Sequence, residues 1–179
     1  MIRTMTIIRC TKRLLDELGL RISDLPDEGP VEGLLGEWYC NLRRFDRRKV
    51  LLFTHPDTLF SFWVPGIKKA DLEDFGMLFF THLAKNLAHE GFPEPVIRRA
   101  IETDEIRIGK TSSRSVLGSM NDYAYLSEYM IASAGGLQRA DILEINKKLN
   151  RTPMSGIGMN FAIEALTKRL LGGPAKIAG

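Results

Sequence analysis

Three apolar runs, residues 38–45, 49–54 and 59–64, follow one another with only a few residues between them. Each is of strand length and rich in aromatic or β-branched side chains. Connections this short force neighbouring strands to run antiparallel, so the stretch predicts a β-meander. The second connection, His55-Pro56-Asp57-Thr58, suits a type I turn, because proline presets φ at its second position. The last two strands are apolar on both alternating faces: Leu59 and Trp63 point one way, while Phe60, Phe62 and Val64 point the other. A sheet wet on one side would alternate polar and apolar residues. Helices are therefore expected on both faces, the alternative being one face turned to a partner or ligand.

The flanking sequence supplies those helices. Met5 to Arg9 reads as a first strand, followed by a helix that Thr11 can cap, with Leu14, Leu15 and Leu18 on its apolar side and Gly19 as its stop. Residues 23–36 contain Pro26, Pro30 and three glycines and read as a loop. Asp71 to Glu90 carries Leu72, Phe75, Phe79, Leu83 and Leu87 at helical spacing. Glu94-Pro95 opens a short helix, and Ile106 to Lys110 forms a fifth strand candidate. A helix from about Ser113 to Ala132 ends at Gly135-Gly136. Asp141 and Glu144 have the spacing of a capping box ahead of Ile142, Ile145 and Leu149. A last helix over 161–171 ends at Gly172-Gly173-Pro174. The expected class is α+β: an antiparallel meander sheet of four to five strands packed with five to six helices. One domain over residues 1–171 and a flexible tail over 172–179 are expected.

Composition narrows the function classes. A chain of 179 residues with 44% hydrophobic and 26% charged residues buries an ordinary core. The net charge of +3 falls short of the basic excess typical of dedicated nucleic-acid binders. Cys10 and Cys40 stand far apart with no CxxC pair, which favours buried free thiols and a reducing, cytoplasmic setting. No apolar run reaches the roughly 20 residues of a membrane span.

Catalytic signatures fail outright: the chain has no GxxxxGK[ST], GxGxxG, HExxH or GxSxG. His55, His82 and His89 do not make up a set of metal ligands, so neither metal nor cofactor is expected. Two stretches remain. Arg43, Arg44, Arg47, Arg48 and Lys49 crowd the first hairpin, where they can dock phosphates or keep a sheet edge from pairing. Lys110 to Asp122 joins a strand end, a serine-rich turn and a helix start, a junction whose free amides suit anions. There Lys110, Ser113, Arg114 and Asn121 are the expected binding residues, and Gly118 leaves room for a close approach. The structural alternative is a capped helix with Arg114 and Asp122 in ion pairs and Gly118 packed tightly against a neighbour. A second polar cluster comprises Glu144, Asn146, Asn150, Arg151 and Thr152; Asn150 suits a left-handed helix end, and Arg151 is expected to reach the first cluster.

Ile7-Ile8-Arg9-Cys10-Thr11-Lys12, Arg47 to Thr54, Arg114-Ser115-Val116-Leu117-Gly118-Ser119-Met120-Asn121-Asp122, Leu143 to Asn146 and Leu149 to Met154 together resemble a family of small bacterial proteins. That family is catalogued only as a domain of unknown function. The resemblance implies a bacterial, single-domain α+β protein and carries no activity. Two functional readings follow. The missing signatures and the basic hairpin favour a binding module for nucleic acid or a protein partner, with homo-oligomers left open. The alternative is an enzyme acting on a small anionic or phosphorylated substrate, with Asp122 or Glu144 as general base.

Overall fold

A computed structural model of the chain describes residues 4–26, 29, 31 and 33–172. In chain order the elements are β1 (Met5–Cys10), α1 (Lys12–Leu18), β2 (Glu37–Phe45), β3 (Arg48–Thr54), β4 (Ser61–Val64), α2 (Lys69–Glu73), α3 (Phe75–His89) and α4 (Glu94–Ile101). They continue with β5 (Glu105–Lys110), α5 (Arg114–Ser133), α6 (Ile142–Leu149), β6 (Pro153–Met154), β7 (Asn160–Phe161) and α7 (Ala162–Leu171). Pro30 of the expected loop, and all of the expected tail except Gly172, lie outside the described residues.

The class is α+β, but the sheet is mixed. Five strands stand in the order β4-β3-β2-β1-β5, with β6 and β7 pairing separately. β2, β3 and β4 form the expected antiparallel meander. β1 instead runs parallel to both of its neighbours, β2 and β5. The purely antiparallel sheet is thus corrected, and the reason is physical. α1 intervenes between β1 and β2, and a helical crossover returns the chain in the same direction. The helix count also rises, to seven among the described residues. The single helix expected over 71–90 breaks at Asp74, whose carboxylate accepts from the Met77 amide and starts α3 afresh.

Helices cover both faces, as the doubly apolar strands require. On one face Ile8, Cys10, Trp38, Phe53 and Phe62 pack with Leu14 and Leu15 of α1, Phe79 and Leu83 of α3, and Leu166 of α7. On the other, Tyr39, Val50, Leu52 and Trp63 pack with Val116, Met120 and Tyr123 of α5 and Ile145 of α6. Each buried aromatic or leucine side chain contributes about 1.5–3 kcal/mol, so two such layers lock the strand register. Cys10 and Cys40 are register partners, free and buried, and burial raises both thiols well above their ordinary range.

The β4 edge is closed by side chains. Asn146 Oδ1 accepts from the Trp63 amide at 2.8 Å and its Nδ2 donates to the Trp63 carbonyl at 3.4 Å. Asn150 Oδ1 accepts from the Ser61 amide and its Nδ2 donates to the Ser61 carbonyl, both at 2.8 Å. A carboxamide carries both halves of a peptide group, so each asparagine substitutes for a residue of a missing sixth strand. The spacing fits. Four helical residues advance about 6 Å, and two strand residues advance about 6.6 Å. Asn150 therefore does not take the expected left-handed conformation; it caps α6 at φ −71° with its side chain turned to the sheet. Arg151 does not reach the first cluster either, because it makes a two-pronged ion pair with the buried Glu90 carboxylate at 3.0 and 2.6 Å.

Candidate functional site

β1, β2 and β5 end on the same side of the sheet, where Cys10 is the register partner of both Cys40 and Lys110. From this rim α1 leaves β1 towards one face, and α5 leaves β5 towards the other. Diverging connections of this kind open a crevice at strand carboxyl ends, where open sheets commonly take ligands.

Side chains of β1 and β2 fix the crossover in place. Arg9 donates from Nε to Glu37 Oε1 at 2.6 Å and from Nη1 to the Lys110 carbonyl at 3.2 Å. The Tyr39 hydroxyl shares a hydrogen bond with Ser112 Oγ at 3.2 Å and accepts from the Ser113 amide at 3.1 Å. Asn41 Oδ1 accepts from Thr11 Oγ1 at 3.0 Å, so Thr11 turns to the sheet instead of capping α1 through its side chain. Arg43 Nη2 donates to Asn121 Oδ1 at 2.5 Å, while its buried Nε has no acceptor among the described residues. Arg9, Tyr39 and Asn41 were not among the expected site residues. The signal for them was present: each is a polar residue inside an otherwise apolar strand run.

The crossover opens to solvent. Ser113 is the N-cap of α5, with Oγ accepting from the Val116 amide at 3.2 Å. The amides of Arg114 and Ser115 have no acceptor among the described residues. Lys110, Ser112, Arg114, Asn121 and Asp122 are exposed and Ser113 is half-buried. The Arg114–Asp122 ion pair does not form: neither side chain has a hydrogen bond or ion pair among the described residues. Gly118 packs on nothing, since a Cβ there would meet no atom within 4 Å. The two expected general bases do not converge on the crossover. Asp122 faces solvent, and Glu144 Oε1 is 2.8 Å from His89 Nε2 on the rim of a cleft of about 530 Å³ beside Tyr129 and Lys148. Asp141 caps α6 by accepting from the Glu144 amide, and Glu144 turns outward instead of completing the capping box.

The hairpin between β2 and β3 turns tightly through Asp46 and Arg47, at φ +49° and +65°. Asp46 Oδ2 accepts from the Leu137 amide at 2.6 Å, which ties the tip to the loop after α5. Lys49 is paired with Glu17 at 2.7 Å, and this contact, aided by Arg44 and Arg13, holds the Glu17 carboxyl below its usual range. Arg44, Arg47 and Arg48 remain exposed. Arg44 donates to the Arg47 carbonyl, and Arg48 reaches the side-chain oxygen of Gln138. Among the described residues, no three His, Cys, Asp or Glu side chains are grouped to hold a metal ion. Among the same residues, no helix is long and apolar enough to cross a membrane.

These features define an α+β protein on a mixed five-stranded sheet, with a cationic rim where its parallel strands end. The chain belongs to the family described as Domain of unknown function (DUF6933), whose model matches residues 7–165. No curated protein and no solved structure matches it.

Proposed function

We propose that this protein is a binding module for a phosphate-rich polyanion, nucleic acid above all, held by the β2–β3 hairpin and the stretch from Lys110 to Ser113 ahead of α5. One observation carries the reading. The hairpin extends as a two-stranded ribbon past Cys40, the last β2 residue paired with β1, and past Leu51, the last β3 residue paired with β4, and Arg44, Arg47 and Arg48 stand exposed on it. The β4 edge has its own device in Asn146 and Asn150. Arg43, Arg44, Arg48 and Lys49 each make a contact within the chain, and Arg47 makes no side-chain contact among the described residues, yet five cations this close together leave a concentrated positive surface.

Two further features support it. The hairpin run holds five cations against one acid, Asp46, whose carboxylate is held by the Leu137 amide. Free amides at the start of the 20-residue α5 add the positive end of a helix dipole beside Lys110. An enzyme would need a base within hydrogen-bond reach of the bound anion. Glu144 serves His89 instead, and Asp122 stands alone on the helix surface.

Fluorescence anisotropy with labelled single- and double-stranded RNA and DNA at low salt tests the proposal. Binding should weaken steeply as salt rises. Reversing Arg48 to Glu should weaken all sequences alike and lower the salt slope by about one. No binding of any of the four probes at low salt would end it.

A further inference from the structure

α5 leaves one face uncovered along most of its length. Arg114, Gly118, Asn121, Asp122, Tyr125 and Tyr129 are all exposed, and steps of three and four residues place them on one side of the helix. Tyr125 and Tyr129 are 76% and 75% accessible, the highest values among the exposed large hydrophobic side chains of the described residues. Gly118 borders open space, so no contact among the described residues calls for glycine there. Yet glycine is the poorest helix former after proline.

The order of these residues is self-complementary. A second α5, laid antiparallel across a twofold axis between Asn121 and Asp122, sets Gly118 opposite Tyr125 of the second copy. It also sets Arg114 opposite Tyr129 and Asn121 opposite Asp122. Such isologous pairing is the commonest route to a homodimer. The tyrosine ring then fills the space that glycine leaves open. That register brings Arg114 to the level of the opposing Tyr129, a pairing that cation–π attraction favours, with exposed Glu128 one residue away. The Asp122 carboxylate, which has no partner within its own chain among the described residues, meets the Arg43–Asn121 pair of the other copy. Every charge on the stripe gains an opposite charge or a ring.

We infer that this face of α5 is a self-association surface and that its occupant is a second copy of the same chain. Sedimentation equilibrium of the whole chain, without nucleic acid and over micromolar concentrations, reads this directly. The wild type should show a monomer–dimer equilibrium. Gly118→Leu, which blocks the seat while leaving the monomer room for the side chain, and Tyr125→Ala should each raise Kd by about tenfold or more, as removal of a central aromatic anchor does. Both variants should keep the wild-type circular dichroism spectrum. Arg114→Glu should weaken the dimer, and adding Glu128→Lys on the same chain should recover part of the loss. A monomer at every concentration, an assembly larger than a dimer, or a dimer indifferent to both Gly118→Leu and Tyr125→Ala overturns the inference.

Discussion

Residues 114–122 and 143–154 look alike as sequence, each a helical block mixing small, polar and charged side chains. Folded, they are treated in opposite ways. Asn146 and Asn150 are 2% and 0% exposed, and their amides engage the backbone of β4 on both sides of the peptide. Asn146 further donates to Asn86 Oδ1, whose own amide donates to the His82 carbonyl, so the chain of bonds continues into α3. Arg114 and Asp122 are exposed, and neither has a partner among the described residues. A buried polar group must be satisfied or it is costly, whereas a solvated one needs no protein partner. Block 143–154 therefore fastens the fold, and block 114–122 is available to something outside the chain.

The largest expected effect tests the fastening half. Asn150→Ala strips the partners from both backbone groups of Ser61, and each buried group left unpaired costs about 1–3 kcal/mol. A loss of about 2–6 kcal/mol in urea unfolding is expected on that arithmetic. Asn121→Ala, on the open block, should lose under about 1 kcal/mol, as exposed substitutions usually do. Equal losses at the two asparagines would erase the contrast.

The same contrast explains what could be read from sequence. Strands 38–45, 49–54 and 59–64 and the capped start of α5 at Ser113 were legible because hydrophobic period, short connections and caps are local signals. The central position of β1 was not, because strand partners are chosen by contacts distant in sequence; the α1 crossover was the one clue to parallel pairing. The open crossover was anticipated at Lys110, Ser113, Arg114 and Asn121. Its fastening to Arg9, Tyr39 and Arg43 was not, since those side chains lie on strands whose neighbours only the fold reveals. The role of Asn146 and Asn150 was hidden for the same reason: four residues apart on a helix, they gain meaning only beside an unpaired strand edge.

The sealed side should also be the acid-sensitive side. His55 is 1% exposed, and its Nδ1 faces the amide and hydroxyl of Thr58. Burial, with the nearby Arg169 charge adding to it, lowers its pKa from 6.5 to about 3, against a small opposing pull from Asp57. The unfolded chain then binds the extra proton first as pH falls. Stability from this group is intact above pH 6.5 and drains away down to about pH 3. The slope approaches about 1.4 kcal/mol per pH unit. Wild type minus His55→Asn, compared by chemical denaturation across that window, should isolate this slope from the carboxylates. A variant whose stability runs parallel to the wild type would show that the site is wetter than its burial implies.

On the open side, Gly118→Ala should raise the stability of the monomer by about 1 kcal/mol, the propensity difference in an exposed helix. The space is free, as no atom lies within 4 Å of the added methyl group. If the melting temperature falls instead, the helix surface at 118 is not open in the way its contacts indicate.

The smallest effect on stability separates folding from binding most sharply. Arg47 occupies a left-handed position of the hairpin turn, at φ +65°, where asparagine or glycine is the favoured residue. Holding a side chain there costs about 1 kcal/mol, and glycine would give back about half of that through its freer unfolded chain. Arg47→Gly should thus stabilise the protein by about 0.5 kcal/mol, a change visible as a small rise in denaturation midpoint. The same substitution removes an exposed cation from the rim and should weaken nucleic-acid binding at low salt. A gain in stability coupled to a loss of binding is the mark of a residue kept for what it contacts outside the chain. If glycine stabilises the hairpin and binding is unchanged, Arg47 does not contact nucleic acid, and the proposed surface loses that cation.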